Sequence, residues 1–406
     1  MGGTAVPNGY LPIGERIRHR RRARGLSQLR LAGLVDRTED WVSKVERGEI
    51  PVDRISVLVR VADALKVPLS DLLGEQNWSE EQTASPQETA GLRKVLSALP
   101  GTARAAPRAV SELEVDLLSA TRLRAQARYA AAAAALPGLI TDLEVAAEAN
   151  EGDDRNKALG LLARAYGLAV ATLVRYNEHD LAWVAADRGI YAAEPTGDPI
   201  ERALSAYRLA HAFVGAGRLI EAVYLVESAL ERAAVSRRDS ADLRALCGAL
   251  YLPLAVAQAR KGDQARAQEA LREAEGLSRG PDGRFQMAPD LQLATQFGPA
   301  NVAAHQVSVA VDLGDAGQAL VVAPRVDQAE LSISRYSRHL IDVALAHNYR
   351  RDTPGMVTTL LDVEQLAPEQ LAHFPLVREM LHAALRRERG PMNRHLHRLA
   401  ERIGAF

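Results

Sequence analysis

Arginine is concentrated in one short segment near the start of the chain. Six arginines fall within nine residues: Arg16, Arg18, Arg20, Arg21, Arg22 and Arg24. Residues 1–75 hold 13 Lys and Arg against 10 Asp and Glu, whereas the remaining residues hold 37 against 41. A local basic cluster of this kind attracts a nucleic-acid backbone. A solvated helix face explains the same residues equally well, so the cluster alone does not decide between the two.

The residue types that catalyse reactions do not form a recognisable set in this sequence. It contains neither a Gly-x-Ser-x-Gly motif nor a glycine-rich phosphate loop. Cys247 lies in an alanine- and leucine-rich stretch, which favours a buried structural thiol over a nucleophile. His395 and His397 are two residues apart on a predicted helix, so they point to different faces and suit one metal ion poorly. We expect no enzyme activity, no cofactor and no metal site.

A second set of polar residues lies far along the chain, on two predicted helices. The set comprises Asn301 and His305 on one helix and Tyr336, Arg338, His339 and Asp342 on a later one. If both helices line a concave wall, these groups converge on a ligand pocket. The alternative is structural, because Asn301 and His305 follow the irregular segment 280–296 and can hydrogen-bond the neighbouring turns. Both interpretations stay open.

Helix-starting and helix-ending residues divide residues 13–73 into five short predicted helices: 13–24, 28–35, 39–47, 54–65 and 68–73. Gly25 and Gly48 end the first and the third, whereas Ser27 and Thr38 cap the second and the third. Apolar residues give the second and third helices inward faces, with the small Ala32 where the two approach. A tight bend between two short helices, the second free to enter the major groove, is the requirement of a helix-turn-helix.

The sequence of these two helices resembles the phage-repressor-like helix-turn-helix family, known as the xenobiotic-response-element (XRE) family. The matching segments are 25–28, 31–32 and 42–48. Asp36 departs from the pattern, because the family usually has glycine at this turn. Aspartate tolerates the left-handed backbone conformation better than most residues, so we expect the turn to form.

The resemblance implies a role for each matching residue. Ser27 and Gln28 would anchor the second helix to phosphate, Arg47 and Arg54 would meet the DNA backbone, and Arg21 with Glu46 would form a structural ion pair. The third helix would be the recognition helix, the one that enters the major groove. This helix and its cap supply the remaining candidate DNA contacts: Thr38, Glu39, Asp40, Trp41, Ser43 and Lys44.

Three of these recognition-helix residues keep two interpretations. Glu39 and Asp40 either accept a hydrogen bond from cytosine N4 or stabilise the positive N-terminal end of their own helix. Trp41 either contacts a thymine methyl group or packs between helices.

The rest of the chain reads as a linker and a helical array. Residues 1–12 are expected to be flexible and 75–110 to be a linker, in which Ser85, Pro86 and Glu88 predict the start of one short helix ending near Leu99. Residues 111–406 show helix pairs with a recurrent turn, resembling lengthened tetratricopeptide repeats. The segments 180–183, 186–188, 297–302 and 375–379 resemble a class of roughly 400-residue actinobacterial regulators.

The remaining features favour a cytoplasmic protein. The first 22 residues contain no apolar stretch, so no signal peptide is expected. The longest apolar stretch, 129–140, is interrupted by Pro137 and is predicted to be too short to cross a membrane. One cysteine cannot form an internal disulfide.

Together the sequence predicts an all-α protein with an N-terminal helix-turn-helix domain at residues 13–74. We expect a homodimeric transcription regulator that binds double-stranded DNA at a pseudo-palindromic operator, controlled by a peptide or small-molecule effector on the repeat domain. The alternative is a protein-interaction scaffold with a vestigial or localising head.

Overall fold

The computed structural model describes residues 13–49, 52, 55–67, 71–72, 86–99, 106–176, 178–234, 240–279, 285–372, 374–388 and 391–403. Within these ranges the regular structure consists of helices and includes no strand, which confirms the predicted all-α class. The chain forms a small N-terminal head, residues 13–72, and a helical repeat-like body that begins at residue 86.

The head contains four helices with described bounds: α1 (Ile13–Ala23), α2 (Gln28–Leu34), α3 (Glu39–Glu46) and α4 (Ile55–Leu65). The two predicted caps are confirmed, because Ser27 Oγ accepts from the Arg30 N–H at 3.0 Å and Thr38 Oγ1 accepts from the Trp41 N–H at 3.2 Å. Residues 71–72 are helical, and the rest of the predicted helix 68–73 lies outside the described residues.

Asp36 occupies the turn between α2 and α3 with a φ of 53°, in the left-handed region that favours glycine. Gly14 has a different task, since a Cβ at this position would lie 1.9 Å from the Val45 carbonyl oxygen. Only glycine therefore lets α1 approach the end of α3 this closely.

The first half of the body comprises α5 (Pro86–Ser97), α6 (Val110–Ala125), α7 (Tyr129–Ala149), α8 (Gly152–Leu173), α9 (His179–Ala193), α10 (Pro199–Gly215), α11 (Leu219–Ala233) and α12 (Ala241–Lys261). The second half comprises α13 (Gln264–Leu277), α14 (Pro289–Thr295), α15 (Pro299–Leu313), α16 (Ala316–Val322), α17 (Ile333–Tyr349), α18 (Thr353–Leu366), α19 (Pro368–Ala372), α20 (Pro375–Arg387) and α21 (Pro391–Arg402).

Six helices of the body form an inner layer. Helices α6, α8, α10, α12, α15 and α17 each pack against the next in that order, and the short helix α14 contacts four of them, α6, α8, α10 and α12. Alanine and glycine allow the close spacing; a Cβ on Gly248 of α12 would lie 2.2 Å from Cζ of the buried Phe297. This arrangement buries Cys247, as its surroundings predict.

The inner layer closes into a ring, because α17 packs back against α6. The adjoining end of α7 is fastened to the far end of the chain. The Tyr129 hydroxyl lies 2.7 Å from Ser334 Oγ and hydrogen-bonds the Gln370 side chain, and the Ala130 N–H donates to Glu369 Oε2 at 3.0 Å. Tyr129 and Gln370 are fully buried. The ring encloses an interior lined by the inner-layer helices.

The segment predicted to be a linker contains helix α5, which packs against the body. Helix α5 packs against α7 with Leu92 fully buried. Thr89 Oγ1 and Arg93 Nη2 both donate to Glu178 Oε1, at 3.2 and 2.6 Å. The helix begins at Pro86 as expected and ends at Ser97, while the predicted cap Ser85 lies outside the described residues.

The prediction that Pro137 interrupts the apolar stretch 129–140 is wrong. Helix α7 runs through Pro137 to Ala149, because a proline removes only one helical donor and the surrounding helices hold the segment in place. By length and composition α7 and the segment Gly152–Tyr176 could each cross a membrane. Of their most apolar 18-residue windows, 56% and 72% are buried inside the protein, as is usual for core helices.

The head packs against helices α12, α15 and α20 of the body. Helix α4 packs against α12 and α15, and Arg16 Nη2 of α1 lies 3.6 Å from Glu379 Oε1 of α20. Val57, Leu58 and Val59 are consecutive and all buried. Three consecutive helical residues point about 100° apart, so α4 is enclosed both by its own domain and by the body.

The fastening at Tyr129 yields a test of the ring closure. We expect Tyr129→Phe to lower the free energy of unfolding by about 1–3 kcal/mol, since it leaves Ser334 and Gln370 with an unpaired buried group. Urea unfolding of the full chain measures this change. Ser119→Ala removes a hydroxyl from an exposed side chain of α6 and should be neutral. Equal effects of the two substitutions would contradict the closure.

Candidate nucleic-acid interface

The head is held together by a buried ion pair between α1 and α3. Arg21 Nε and Nη2 donate to the two carboxylate oxygens of Glu46, at 2.5 and 2.9 Å, and both residues are buried. Gln28 Nε2 donates to the same carboxylate at 2.8 Å, and Arg21 Nη1 donates to the Leu26 carbonyl at 2.6 Å. One carboxylate therefore fixes α1, α2 and α3 relative to one another.

The electrostatics of this pair favour its charged form. Burial alone would raise the pKa of Glu46, yet the hydrogen bonds from Arg21 and Gln28 and the charge of Arg21 lower that pKa below its ordinary value. The same hydrogen bond raises the pKa of Arg21. The pair has the bidentate geometry that makes such bonds strong.

Most of the N-terminal arginine cluster is committed to structure. Arg16 Nε donates to the Leu72 carbonyl at 2.7 Å, Arg20 Nη2 lies 2.9 Å from Asp71 Oδ2, and Arg24 Nη1 donates to the Ala64 carbonyl at 3.0 Å. With Arg21 paired to Glu46, four of the six arginines tie α1 to the rest of the head. Neither of the two simple interpretations of this cluster, phosphate contact or solvated face, describes these four.

The recognition helix α3 presents a charged, mostly exposed face. Thr38, Glu39 and Asp40 are exposed, while Ser43 and Lys44 are half-buried. Lys44 Nζ lies 2.6 Å from Asp40 Oδ2, one helical turn away. The carboxylate and the ammonium group thus form a local pair on the surface that would face a major groove.

Two predicted contact residues are bonded inside the head. Gln28 is shared with Glu46, as given above, and Arg47 Nε lies 2.6 Å from Glu49 Oε1 while its Nη1 donates to Ser43 Oγ. The Glu49 hydrogen bond raises the pKa of Arg47, and the Arg47 hydrogen bond lowers that of Glu49. Ser27 is exposed and caps α2. Arg54 lies outside the described residues.

Sequence reasoning did not single out Arg30 and Arg37. Arg30 is exposed on α2, and the guanidinium carbon of Arg37 lies 5.7 Å from the centre of the half-buried Trp41 ring. Arg37 directly precedes Thr38, the cap of α3, and its Nη1 donates to the Asp36 carbonyl at 3.0 Å. Its place beside Thr38 was the signal available in the sequence.

The polar residues of the second predicted set lie on α15 and α17, which pack against each other. Asn301 and His305 are buried; Asn301 Nδ2 lies 3.4 Å from the Thr295 carbonyl and His305 Nδ1 lies 2.8 Å from the Asn301 carbonyl. Arg338 Nη2 donates to Asp342 Oδ1 at 3.0 Å. Tyr336 is half-buried, with its ring 5.8 Å from that of His339. Within the described residues, no cluster of side chains has the makings of a metal site.

The comparisons with known proteins bear on the head. Residues 12–73 match the protein-family profile described as a helix-turn-helix domain. A search of curated proteins found no similar sequence. One similar solved structure is that of Bacillus thuringiensis PlcR in complex with the peptide PapR7 and DNA. It is 17% identical, the match covers 65% of this chain and 93% of that one, and the TM-score is 0.29. The chain therefore contains a helix-turn-helix domain, the kind of domain with which transcription regulators bind DNA.

Because Arg21 and Gln28 share the carboxylate of Glu46, we expect the stability of the head to depend on pH. A group with a lowered folded pKa stabilises the fold above its unfolded pKa, and this stabilisation is lost as pH falls through the folded value. We expect Glu46→Gln to cost about 3 kcal/mol near neutral pH by breaking a buried pair. The difference from the original chain should narrow below about pH 4.5, the ordinary pKa of glutamate.

Hydrogen exchange of the α1 and α3 amides in the full chain, measured between pH 7 and pH 3.5 and corrected for intrinsic rates, reports this stability locally. Glu15→Gln, at an exposed position on α1, is the matched control and should follow the original chain. A difference between Glu46→Gln and the original chain that stays constant with pH would refute the role of this carboxylate.

Proposed function

We propose that the protein is a sequence-specific DNA-binding transcription regulator whose body controls the head in response to an effector. The observation that carries this proposal is the intact helix-turn-helix, in which one buried ion pair fixes the recognition helix while its polar face stays exposed. The head is of the XRE type. The body is a degenerate tetratricopeptide-like array and resembles that of actinobacterial regulators. We assign the protein no catalytic role. We place it in the cytoplasm, bound to DNA and not to a membrane.

Within this proposal, α3 lies in the major groove with Lys44, Ser43, Asp40 and Glu39 toward the base edges. Lys44 donates to guanine, and the carboxylates accept from cytosine N4 or orient Lys44. Arg37, at the entrance to α3, contacts a phosphate. The pairs that Arg47 and Lys44 form within the head are exchanged for contacts with DNA.

The protein acts as a homodimer on a pseudo-palindromic operator, because a single helix-turn-helix reads only one short half-site. Three large apolar side chains on the outer helices α9 and α11 support a contact between protomers. Tyr191, Ile220 and Tyr224 are 73–76% exposed, and exposed apolar side chains of this size favour a protein interface. Sedimentation of the full chain with and without operator DNA measures the stoichiometry.

The base-reading role of Lys44 predicts a change of preference and not a general loss of binding. In selection from randomised duplex DNA, Lys44→Ala should relax the preference at one base position per half-site, with a loss of about 1–3 kcal/mol for the best site. Lys94→Ala, at an exposed site on α5, is the control. If Lys44→Ala weakens all sequences equally, Lys44 is not a base reader; if the original chain prefers no sequence at moderate salt, the protein is a scaffold and the proposal fails.

The phosphate-contact role of Arg37 predicts the opposite pattern. Arg37→Ala should weaken binding to every sequence alike and reduce the slope of log affinity against log salt concentration by about 1. Fluorescence anisotropy with a labelled operator over a salt series measures the slope. Arg232→Ala, exposed at the end of α11, should leave the slope unchanged. An unchanged slope in Arg37→Ala would rule out the phosphate contact.

A further inference from the structure

The interior of the closed ring contains more positive than negative charge. The inner-layer helices and the turn after α8 contribute six arginines: Arg124, Arg175, Arg208, Arg260, Arg335 and Arg338. The aspartates of the same group are Asp312 and Asp342. These side chains come from α6, α8, α10, α12, α15 and α17, so only closure of the ring brings them together.

Two of the six arginines form ion pairs with the two aspartates. Arg260 Nε lies 3.1 Å from Asp312 Oδ2, and Arg338 Nη2 lies 3.0 Å from Asp342 Oδ1. For the other four, the described part of the chain provides no carboxylate partner. Arg208 donates only to the Ala294 carbonyl, and Arg175 stacks with its guanidinium carbon 5.3 Å from the centre of the Tyr129 ring. Buried like charges without counter-charges cost free energy.

Polar atoms in this region are also left without partners. Nε of Arg124, Nε of Arg175 and Nε2 of His211 are buried and make no hydrogen bond. Unpaired buried polar atoms are uncommon in native proteins and call for a missing partner. Arginine Nε–H groups donate and never accept, so the partner they lack is an acceptor.

The titration behaviour of the same groups agrees with missing negative charge. Burial, with the charges of Arg208 and Arg335, lowers the pKa of Arg124 to about 9. Burial and Arg335 lower the pKa of His305 to about 3, and the pKa of His211 is lowered by burial and by Arg335, His305, Arg208 and Arg124. An anion in their midst would reverse the electrostatic part of these shifts.

A pocket adjoins this group between α6, α8, α10 and α14. Its volume is about 110 Å³, and its wall combines leucines with Thr121, Ser205 and Arg208. Glu114 also lines it, as do Arg164 and Asp290, which form an ion pair with each other. Cavities of about 150 Å³ admit benzene, so this smaller pocket accepts a short aliphatic group. Arg208 belongs both to the pocket wall and to the arginine group.

We propose that the ring interior binds a small anion, a carboxylate or a phosphate, between Arg124, Arg208 and Arg335, with a short apolar substituent in the adjoining leucine-lined pocket. That this anion is the effector rests on the proposed function; that it binds does not. Helices α12 and α15 connect the interior with the head, because they carry the interior residues Arg260 and His305 and also pack against α4.

The test is the thermal unfolding of the full chain at constant ionic strength, with chloride as the reference anion. Inorganic phosphate and pyrophosphate form one arm, and citrate and hexanoate the other. At least one anion should raise the Tm saturably, by about 2–4 °C at a hundredfold excess over its Kd. The responding arm assigns phosphate or carboxylate, and no response to any of the four overturns the proposal.

A double variant separates binding from a structural role by the sign of its effect. Arg124→Gln with Arg335→Gln should raise the Tm in chloride above that of the original chain, because it relieves repulsion, and should abolish the anion response. Arg272→Gln, exposed on α13, should behave like the original chain. A double variant with a lower Tm and an undiminished anion response would overturn the proposal.

A single conservative variant tests the same site even if the double variant does not fold. Arg335→Lys preserves the charge but loses the planar fork, so calorimetric titration with the responding anion should show about tenfold weaker binding. Unchanged affinity in Arg335→Lys would remove Arg335 from the site. None of these measurements uses DNA, so their failure is distinct from a failure of sequence-specific DNA binding.

Discussion

The closure of the inner helical layer is the constraint on which the rest of the body depends. A stack of helix pairs gains stability from each neighbour and normally leaves two free ends. Here the hydroxyl of Tyr129 and the Ala130 N–H join the first helices to Ser334, Gln370 and Glu369. The two ends bury each other, and the concave wall becomes an enclosed interior.

Closure also explains why charged groups sit where an open array would have solvent. In an open superhelix the arginines of α6, α10 and α17 would face water at little cost, since exposed charges keep their hydration. Enclosure removes that hydration, so two of the arginines take aspartate partners and others retain unsatisfied donors. An excess of buried positive charge persists in a fold only if something else stabilises it, and the enclosed volume is the place for that partner.

The head could be predicted from the sequence to a large extent, because its determinants are local. Ser27 and Thr38 cap helices through bonds three residues long, and Asp36 adopts the left-handed turn expected of it. Long-range partners were beyond reach. Nothing near Arg16 or Arg20 in the sequence points to Leu72 or Asp71, so the basic cluster suggested phosphate where the structure shows internal bonds.

The body shows the same limit more strongly. Helix pairs could be predicted from the recurrent turn, whereas Arg338 and Asp342, which the sequence assigned to a possible ligand pocket, form an ion pair with each other. Arg124 and Arg335 stand 211 positions apart in the sequence and become neighbours only through ring closure. Tyr129 meets Ser334 across 205 residues, and no local pattern encodes this contact.

The burial of α4 has a consequence for how such a chain can diversify. Val57, Leu58 and Val59 are all covered, partly by helices that belong to the body. A head excised at residue 73 would expose an apolar face that its own core cannot cover. The head is therefore not interchangeable between chains: a recombinant that joins it to a foreign body must also supply a surface that matches α4.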